Sequence, residues 1–135
     1  MLHSEIRNQG WLQLRIYDWA IYYTSLSNIF KVENTKIWIR PYSIIPYSSD
    51  SGLIEFIDDT RTIHSLKEIS HERSLRQIYK RLFGDNLKTA ITNFIESLAG
   101  YSLLQYFFTV NDRHNNNILV DIYGHLIHID FVFLI

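Results

Sequence analysis

The sequence predicts an α+β fold, and three observations carry that reading. Three stretches space apolar residues at a helical period, and two others gather β-branched and aromatic residues into short runs around turn-forming clusters. At 135 residues, 47% hydrophobic and 15% aromatic, the chain also has ample material for a packed core.

Taken in order, Leu14, Tyr17, Trp19, Ile21, Tyr22, Leu26, Ile29 and Phe30 fall on a helical period without an intervening proline, which predicts a long helix from Trp11 ending near Asn34. Ile37-Trp38-Ile39 and Tyr42-Ser43-Ile44-Ile45 then read as strand, and Ser48-Ser49-Asp50-Ser51-Gly52 supplies a turn before Leu53-Ile54-Glu55-Phe56-Ile57, so a hairpin is expected. Pro41 and Pro46 suit an edge strand or strand ends, since neither can donate a ladder hydrogen bond.

Asp58-Asp59-Thr60 is the expected start of the next helix, whose pattern begins with Ile63, Leu66 and Ile69 and resumes at Leu75, Ile78, Tyr79 and Leu82. Gly84 should stop it. Asp85 or Asn86 can cap a long helix that carries Leu87, Ile91, Phe94, Ile95, Leu98, Leu104 and Phe108 along one side. Two short strands follow, Ile118 to Ile122 and Leu126 to Phe131, joined at the tight-turn site Tyr123-Gly124. No repeat, low-complexity tract or linker composition interrupts the chain, which predicts one structural unit.

A net charge of -1 and a pI near 6.6 give no bulk attraction to nucleic acid, and no nucleic-acid partner is expected. With no cysteine, thiolate metal sites and nucleophiles are excluded and an intracellular setting is the default. The opening MLHSEIRNQG mixes charge and amide groups where a secretory signal needs an apolar stretch. The run from Leu98 to Val110 is too short to span a bilayer and is broken by Gly100, Ser102 and Gln105, so it is expected to be a buried core helix.

The chemistry-bearing order is a long apolar helix, a polar loop Asp112-Arg113-His114-Asn115-Asn116-Asn117, a hairpin, and Asp130 at the end of its second strand. Phosphoryl transfer needs such an array, because the protein mainly positions reactants and holds magnesium that offsets charge on the transferred group. One carboxylate and one amide oxygen, Asp130 and Asn117, suit an ion that keeps its other positions for phosphate and water. Asp112 and His114 put a carboxylate and an imidazole near one spot, where a hydroxyl proton can be accepted. Spacing alone also admits a plainer reading, with Asp112 and Arg113 as an ion-paired helix end and the three asparagines as loop formers.

The wording of the stretch AGYSLLQYFFTVNDRHNNNILVDIYGHLIHIDFVFLI, Ala99 to Ile135, resembles the catalytic core of phosphatidylinositol 3- and 4-kinases, where D-R-H-x-x-N-I is followed one hairpin later by H-I-D-F-G. Upstream, IWIRPYSIIPYSSDSGLIEFIDDTRTIHSLKE, Ile37 to Glu68, resembles that family's strand before the hinge, the hinge and the helix after it. The A-G-Y-S-L-L opening, Asn115 and Phe133 are similar to type III 4-kinases, the beta form especially. The 3-kinases typically have histidine in place of Phe133 and related protein kinases an acidic residue.

The resemblance implies a partial protein-kinase-like catalytic domain, with residues 1–57 a remnant of the N-lobe plus the hinge and residues 58–135 part of the C-lobe. It implies ATP and Mg2+, with Mn2+ able to replace it, and phosphatidylinositol presented at the surface of internal, Golgi-like membranes facing the cytoplasm. It implies His114 as proton acceptor or relay for the inositol hydroxyl, Asp112 orienting it, and Asn117 and Asp130 as metal ligands. At the hinge, the Glu55 carbonyl and the Ile57 amide would bond the adenine edge, with Leu53, Ile54 and Phe56 lining the nucleotide.

Some positions depart from the family pattern. Val132 stands where the family has the glycine after the Asp-Phe pair, and a β-branched residue restricts the turn that swings the aspartate toward metal. Asn116 replaces a glycine common in the 4-kinases, a milder change. The family's phosphate loop and ATP-binding lysine precede the first long helix, whereas the first lysine here is Lys31, and the activation loop would follow Ile135. The expectation is that this polypeptide by itself is catalytically dead. A degenerate module that binds nucleotide or protein without turnover, and a 3-kinase fragment, stay open as alternatives.

Three further features have plainer readings. On a strand His128 and Asp130 share a face while His125 points away, which argues against a zinc site. His64 and His71 read as surface or cap residues. Lys67, Arg73, Arg76, Lys80 and Arg81 can face membrane phosphates, but the interleaved Glu68 and Glu72 favour a solvated helix face.

Overall fold

In the computed structural model of the chain, residues 23–46, 52–108 and 113–130 are described. They fall into two compact units, one within Met1–Thr35 and Arg40–Asp58, the other within Lys36–Ile39 and Asp59–Ile135. The junctions carry no linker composition, so the sequence does not mark them.

The first unit contains the helix α1, described over 23–32, and a two-stranded sheet of β1 (Ile44–Pro46) and β2 (Gly52–Ile54). Asn34 ends the helical turn in a left-handed conformation at φ 50, which asparagine tolerates, matching the expected stop. Tyr23 and Ser27, one turn apart, are its buried residues, and the Tyr23 hydroxyl donates to the Arg40 carbonyl at 3.0 Å. The antiparallel register Ile44↔Ile54, Ile45↔Leu53, Pro46↔Gly52 puts Pro46 in an end pair of the ladder. The expected helix over Trp11 to Tyr22 and the turn at Ser48 to Ser51 lie outside the described residues.

The expected strand Ile37-Trp38-Ile39 is not one. These residues belong to the second unit, where the Trp38 amide donates to the Glu96 carbonyl at 3.1 Å and Ile39 is buried. The Ile39 side chain lies against Gly100 of the helix Leu87–Phe108, and the Trp38 backbone bonds to that helix instead of to a ladder. The close approach has a visible cause: a Cβ on Gly100 would collide with the Trp38 carbonyl and with the Ile39 side chain.

The second unit is a three-stranded antiparallel sheet, β3 (Thr60–Thr62), β4 (Ile118–Asp121) and β5 (Leu126–His128) in that order, covered by α2 (Ile63–Ser70), α3 (Leu75–Phe83) and α4 (Leu87–Phe108). Thr60 does not open a helix, as expected, but the strand β3. The helix starts three residues later because Thr62 is the N-cap, its hydroxyl accepting from the Ser65 amide at 3.0 Å. His71 closes α2 in the left-handed conformation and His64 pairs on the surface with Glu68 at 3.3 Å, so both histidines are surface or cap residues. Gly84 ends α3 at φ 46, and the 3₁₀ turn Gly84–Asn86 leads into α4.

The buried stripe of α4 is only in part the one its large apolar residues suggest, Leu104 being buried and Leu87 and Phe94 packing on the core. Ala90, Ser97, Gly100, Tyr101 and Leu104 are buried, whereas Ile91, Ile95 and Leu98 are 43%, 58% and 42% exposed. Small residues win because they let backbone come close: a Cβ on Gly124 would sit 2.8 Å from the Ala90 Cβ. Toward its end, Tyr106 and Phe107 are exposed while Tyr101 and Leu104 are buried, so the apolar run is a half-buried helix. Ser97 accepts the Leu126 amide of β5 at 2.8 Å, satisfying a sheet N–H from the helix. Ile63, Leu66, Ile78, Tyr79, Ala90, Val120 and Leu126 form one core, and the buried Tyr79 hydroxyl donates to the Gly124 carbonyl at 2.9 Å.

Candidate functional site

The β4–β5 hairpin is what brings the polar loop and Asp130 together. Its turn is fixed at one end by Asp121, whose carboxylate accepts from the Tyr123 amide at 2.9 Å and the His125 amide at 2.8 Å and lies 2.8 Å from His125 Nδ1. Burial pushes the Asp121 carboxyl up, but the His125 hydrogen bonds outweigh it and the net shift is down. Gly124, at φ 91, makes the tight turn, and the His125 ring stacks on Trp38 at 4.1 Å. His125 is thus committed to the turn.

At the opposite end the register Ile118↔His128 continues into a hydrogen bond from the Ile129 amide to the Asn117 carbonyl at 3.0 Å. Asn117 is buried, and Asp130, the next residue after Ile129, is exposed with φ 55. The two sequence-predicted metal residues therefore stand at one end of one hairpin. Arg113 ties the loop to the same place, its guanidinium donating to the Ile129 carbonyl at 2.8 Å and to the Asp130 carbonyl. The loop is held from a third side by α2, whose second amide, on His64, donates to the Asn115 carbonyl at 3.1 Å and so uses one of the unpaired N–H groups of a helix start.

His114 is exposed between these anchors. Its carbonyl accepts from the Asn117 amide at 2.9 Å and its Nδ1 accepts from the Asn116 amide at 3.3 Å. Asp112 lies outside the described residues, as do Val132 and Phe133.

Beneath the loop, His128 is buried at 3% exposure, its ring stacked on Tyr101 at 4.3 Å and its Nδ1 3.3 Å from the Gln105 amide nitrogen. Burial, and then the Arg113 guanidinium, push its pKa down to about 4, so the ring is neutral at pH 7. Because an amide nitrogen only donates, Nδ1 is the acceptor. His128 is a packing residue, not a partner of Asp130.

Among the described residues no group of three His, Asp or Glu side chains could hold an ion. The donor set at the hairpin end is one carboxylate and one amide, which fits magnesium, since that ion usually keeps most positions for phosphate oxygens and water.

The predicted hinge residues lie in the first unit. Leu53 and Ile54 pair with Ile45 and Ile44, and after Ile54 the chain leaves the ladder. The Glu55 amide donates to the Ser43 carbonyl at 2.8 Å, and its carboxylate accepts from the Ser43 amide at 2.8 Å and from Arg40 at 3.2 Å. The Ser43 hydrogen bond, and with it Arg40, holds the Glu55 carboxyl below the usual range despite some burial. The Glu55 side chain is thereby structural. Leu53, Ile54 and Phe56 are exposed and Ile57 is buried.

Sequence reasoning gave Arg113 no role beyond an ion-paired helix end with Asp112, and none to the His64 amide or to Gln105. Arg113 sits within the loop singled out as chemical, but that its fork closes on residues sixteen and seventeen positions later depends on the hairpin.

Comparison with known proteins covers the same segment of the chain. A family model described as phosphatidylinositol 3- and 4-kinase matches residues 70–134, which include α3, α4, the loop, the hairpin and Asp130. Phosphatidylinositol 4-kinase beta 2 of Arabidopsis thaliana is 45% identical over 112 residues, covering 80% of this chain and 10% of that protein. Phosphatidylinositol 4-kinase of Dictyostelium discoideum is 41% identical over 117 residues, 83% of this chain and 10% of that protein. Phosphatidylinositol 4-kinase beta of Danio rerio is 43% identical over 113 residues, 82% of this chain and 14% of that protein. The chain spans between a tenth and a seventh of the length of these curated relatives. The loop, its hairpin and these matches together place the chain in the phosphatidylinositol 3- and 4-kinase family.

Proposed function

We propose that this chain supplies the catalytic loop and metal ligands of a phosphatidylinositol 4-kinase, which moves the γ-phosphoryl group of ATP to the 4-hydroxyl of phosphatidylinositol. The observation that carries the reading is the Asn117–Ile129 hydrogen bond with Arg113 locked onto the next carbonyl, because it sets an amide and a carboxylate at one hairpin end. That the relatives are named 4-kinases favours this over a 3-kinase.

In this reading Asn117 and Asp130 hold Mg2+ or Mn2+, which when bound offsets charge on the phosphate oxygens. Asp112 orients the hydroxyl and His114 takes its proton. With Nδ1 accepting from Asn116, the neutral ring carries its proton on Nε2, so acceptance falls to Nδ1 once that 3.3 Å contact is released. The Glu55 carbonyl and the Ile57 amide bond the adenine edge, while Leu53, Ile54 and Phe56 cover the nucleotide. The Glu55 side chain, fully engaged with Ser43 and Arg40, stiffens that segment instead of touching ligand.

By the same reading residues 1–57 contribute N-lobe and hinge and residues 58–135 part of the C-lobe. The substrate is met at the surface of internal membranes; no helix among the described residues is long and apolar enough to cross one. Val132 in place of the family's glycine supports impaired turnover by this polypeptide alone.

The test is thermal stabilisation of the chain by Mg-ATP compared with ATP and EDTA, in the wild type and in Asp130→Ala. Metal-dependent stabilisation that Asp130→Ala abolishes supports the proposal; equal stabilisation in both proteins defeats it.

A further inference from the structure

Charge is distributed unevenly along the chain. Residues 60–88 hold seven Lys and Arg against three Asp and Glu, a local charge of +4, and the rest of the chain carries −5. Glu68, 3.3 Å from His64, and Glu72 are interleaved with these cations, and the segment keeps its excess of four positive charges with both counted. Among the described residues no ion pair engages Lys67, Arg73, Arg76 or Lys80.

The geometry gathers these cations. Arg76 and Lys80 are exposed and one turn apart on α3, on the side away from the buried Ile78 and Tyr79. Arg81 donates to the Ser70 carbonyl at 3.3 Å, fastening the basic side of α3 to the C-terminal end of α2, where Lys67 sits in the last turn and Arg73 follows in the connection. The same two helices expose Ile69 and Leu82, apolar side chains that can enter a headgroup layer.

We propose that the α2–α3 surface, through Arg73, Arg76 and Lys80, docks on the anionic headgroups of a lipid bilayer. Charge complementarity selects an anionic partner, and the choice of a bilayer rests on the lipid-kinase reading above. Long-range attraction of this kind adds per cation, at about fivefold in partition for each Lys or Arg near the surface.

The experiment is sedimentation of the 135-residue chain with phosphatidylcholine vesicles and with vesicles containing added phosphatidylserine, at low and high salt. Partition is expected to require the anionic lipid, to fall with salt, to drop about 25-fold in Arg76→Gln/Lys80→Gln and about fivefold in Arg73→Gln. Helicity by circular dichroism should be unchanged in both variants, and Asp130→Ala should sediment like the wild type. Equal partition onto neutral vesicles, insensitivity to the substitutions, or binding of soluble polyglutamate without vesicle binding would overturn the proposal. Mn2+ binding to the same proteins separates the two claims: vesicle partition that survives a failure to bind Mn2+ refutes the metal site and supports this surface.

Discussion

The Asn117 carbonyl accepts the Ile129 amide at 3.0 Å, one rung beyond the last regular pair of the β4–β5 hairpin. That single contact makes Asn117 and Asp130, thirteen positions apart in sequence, neighbours at the end of a short ladder. It is reinforced by Arg113, whose two donors bridge the Ile129 and Asp130 carbonyls.

Arg113 is therefore expected to be a positioning residue for the metal ligands. Lysine keeps the charge but not the planar fork, so Arg113→Lys should weaken Mn2+ binding several-fold and lower unfolding stability by about 1–2 kcal/mol. Calorimetric Mn2+ titration with urea unfolding checks this. Unchanged metal affinity would assign Arg113 a purely structural role.

Gly124 is constrained twice, by φ 91 and by the Ala90 side chain, main-chain carbon and carbonyl that a Cβ would meet within 2.9 Å. Gly124→Ala should cost about 2–4 kcal/mol. Gly84→Ala has nothing within 4 Å to meet, but φ 46 with ψ −116 lies outside the left-handed helical region, so it should cost the conformational penalty alone, about 1–3 kcal/mol. Parallel denaturant unfolding of the two variants measures the difference, and equal losses would mean the Ala90 contact does not matter.

His128 gives the fold a pH dependence of defined sign. Its folded pKa is pushed down from 6.5 to about 4, so the unfolded chain binds the extra proton between those values and stability rises with pH across that window. Lowering the pH from 6.5 to 4 should remove on the order of 3 kcal/mol through this group. His128→Phe keeps an aromatic ring on Tyr101 and should flatten the curve. An identical pH profile in the variant would locate the titration elsewhere.

The sequence made the element types of the second unit legible wherever a local signal existed. Gly84 stopped α3 because it alone takes that backbone cheaply, and Tyr123-Gly124 marked the turn that Asp121 then secures. What failed depended on tertiary choice. Trp38 and Ile39 look like strand but meet α4 at Gly100 instead, and of the apolar side expected of α4 Leu87, Phe94 and Leu104 reach the core while Ile91, Ile95 and Leu98 do not, because Ala90 and Gly100 admit backbone. The candidate metal pair was readable from residue types, but its closure through Ile129 was not, since hairpin register decides it. His125 and His128, equal as letters, separate only when the fold commits one to a turn carboxylate and buries the other.

The most direct test of the central claim is paramagnetic broadening by Mn2+ in amide NMR spectra of the chain with ATP present. Signals from Asn117, Ile129 and Asp130 should be lost selectively, and the loss should be abolished in Asp130→Asn, a substitution that tolerates the left-handed backbone at φ 55 while removing the charge. Broadening that spares these residues, or that persists unchanged in Asp130→Asn, would contradict it.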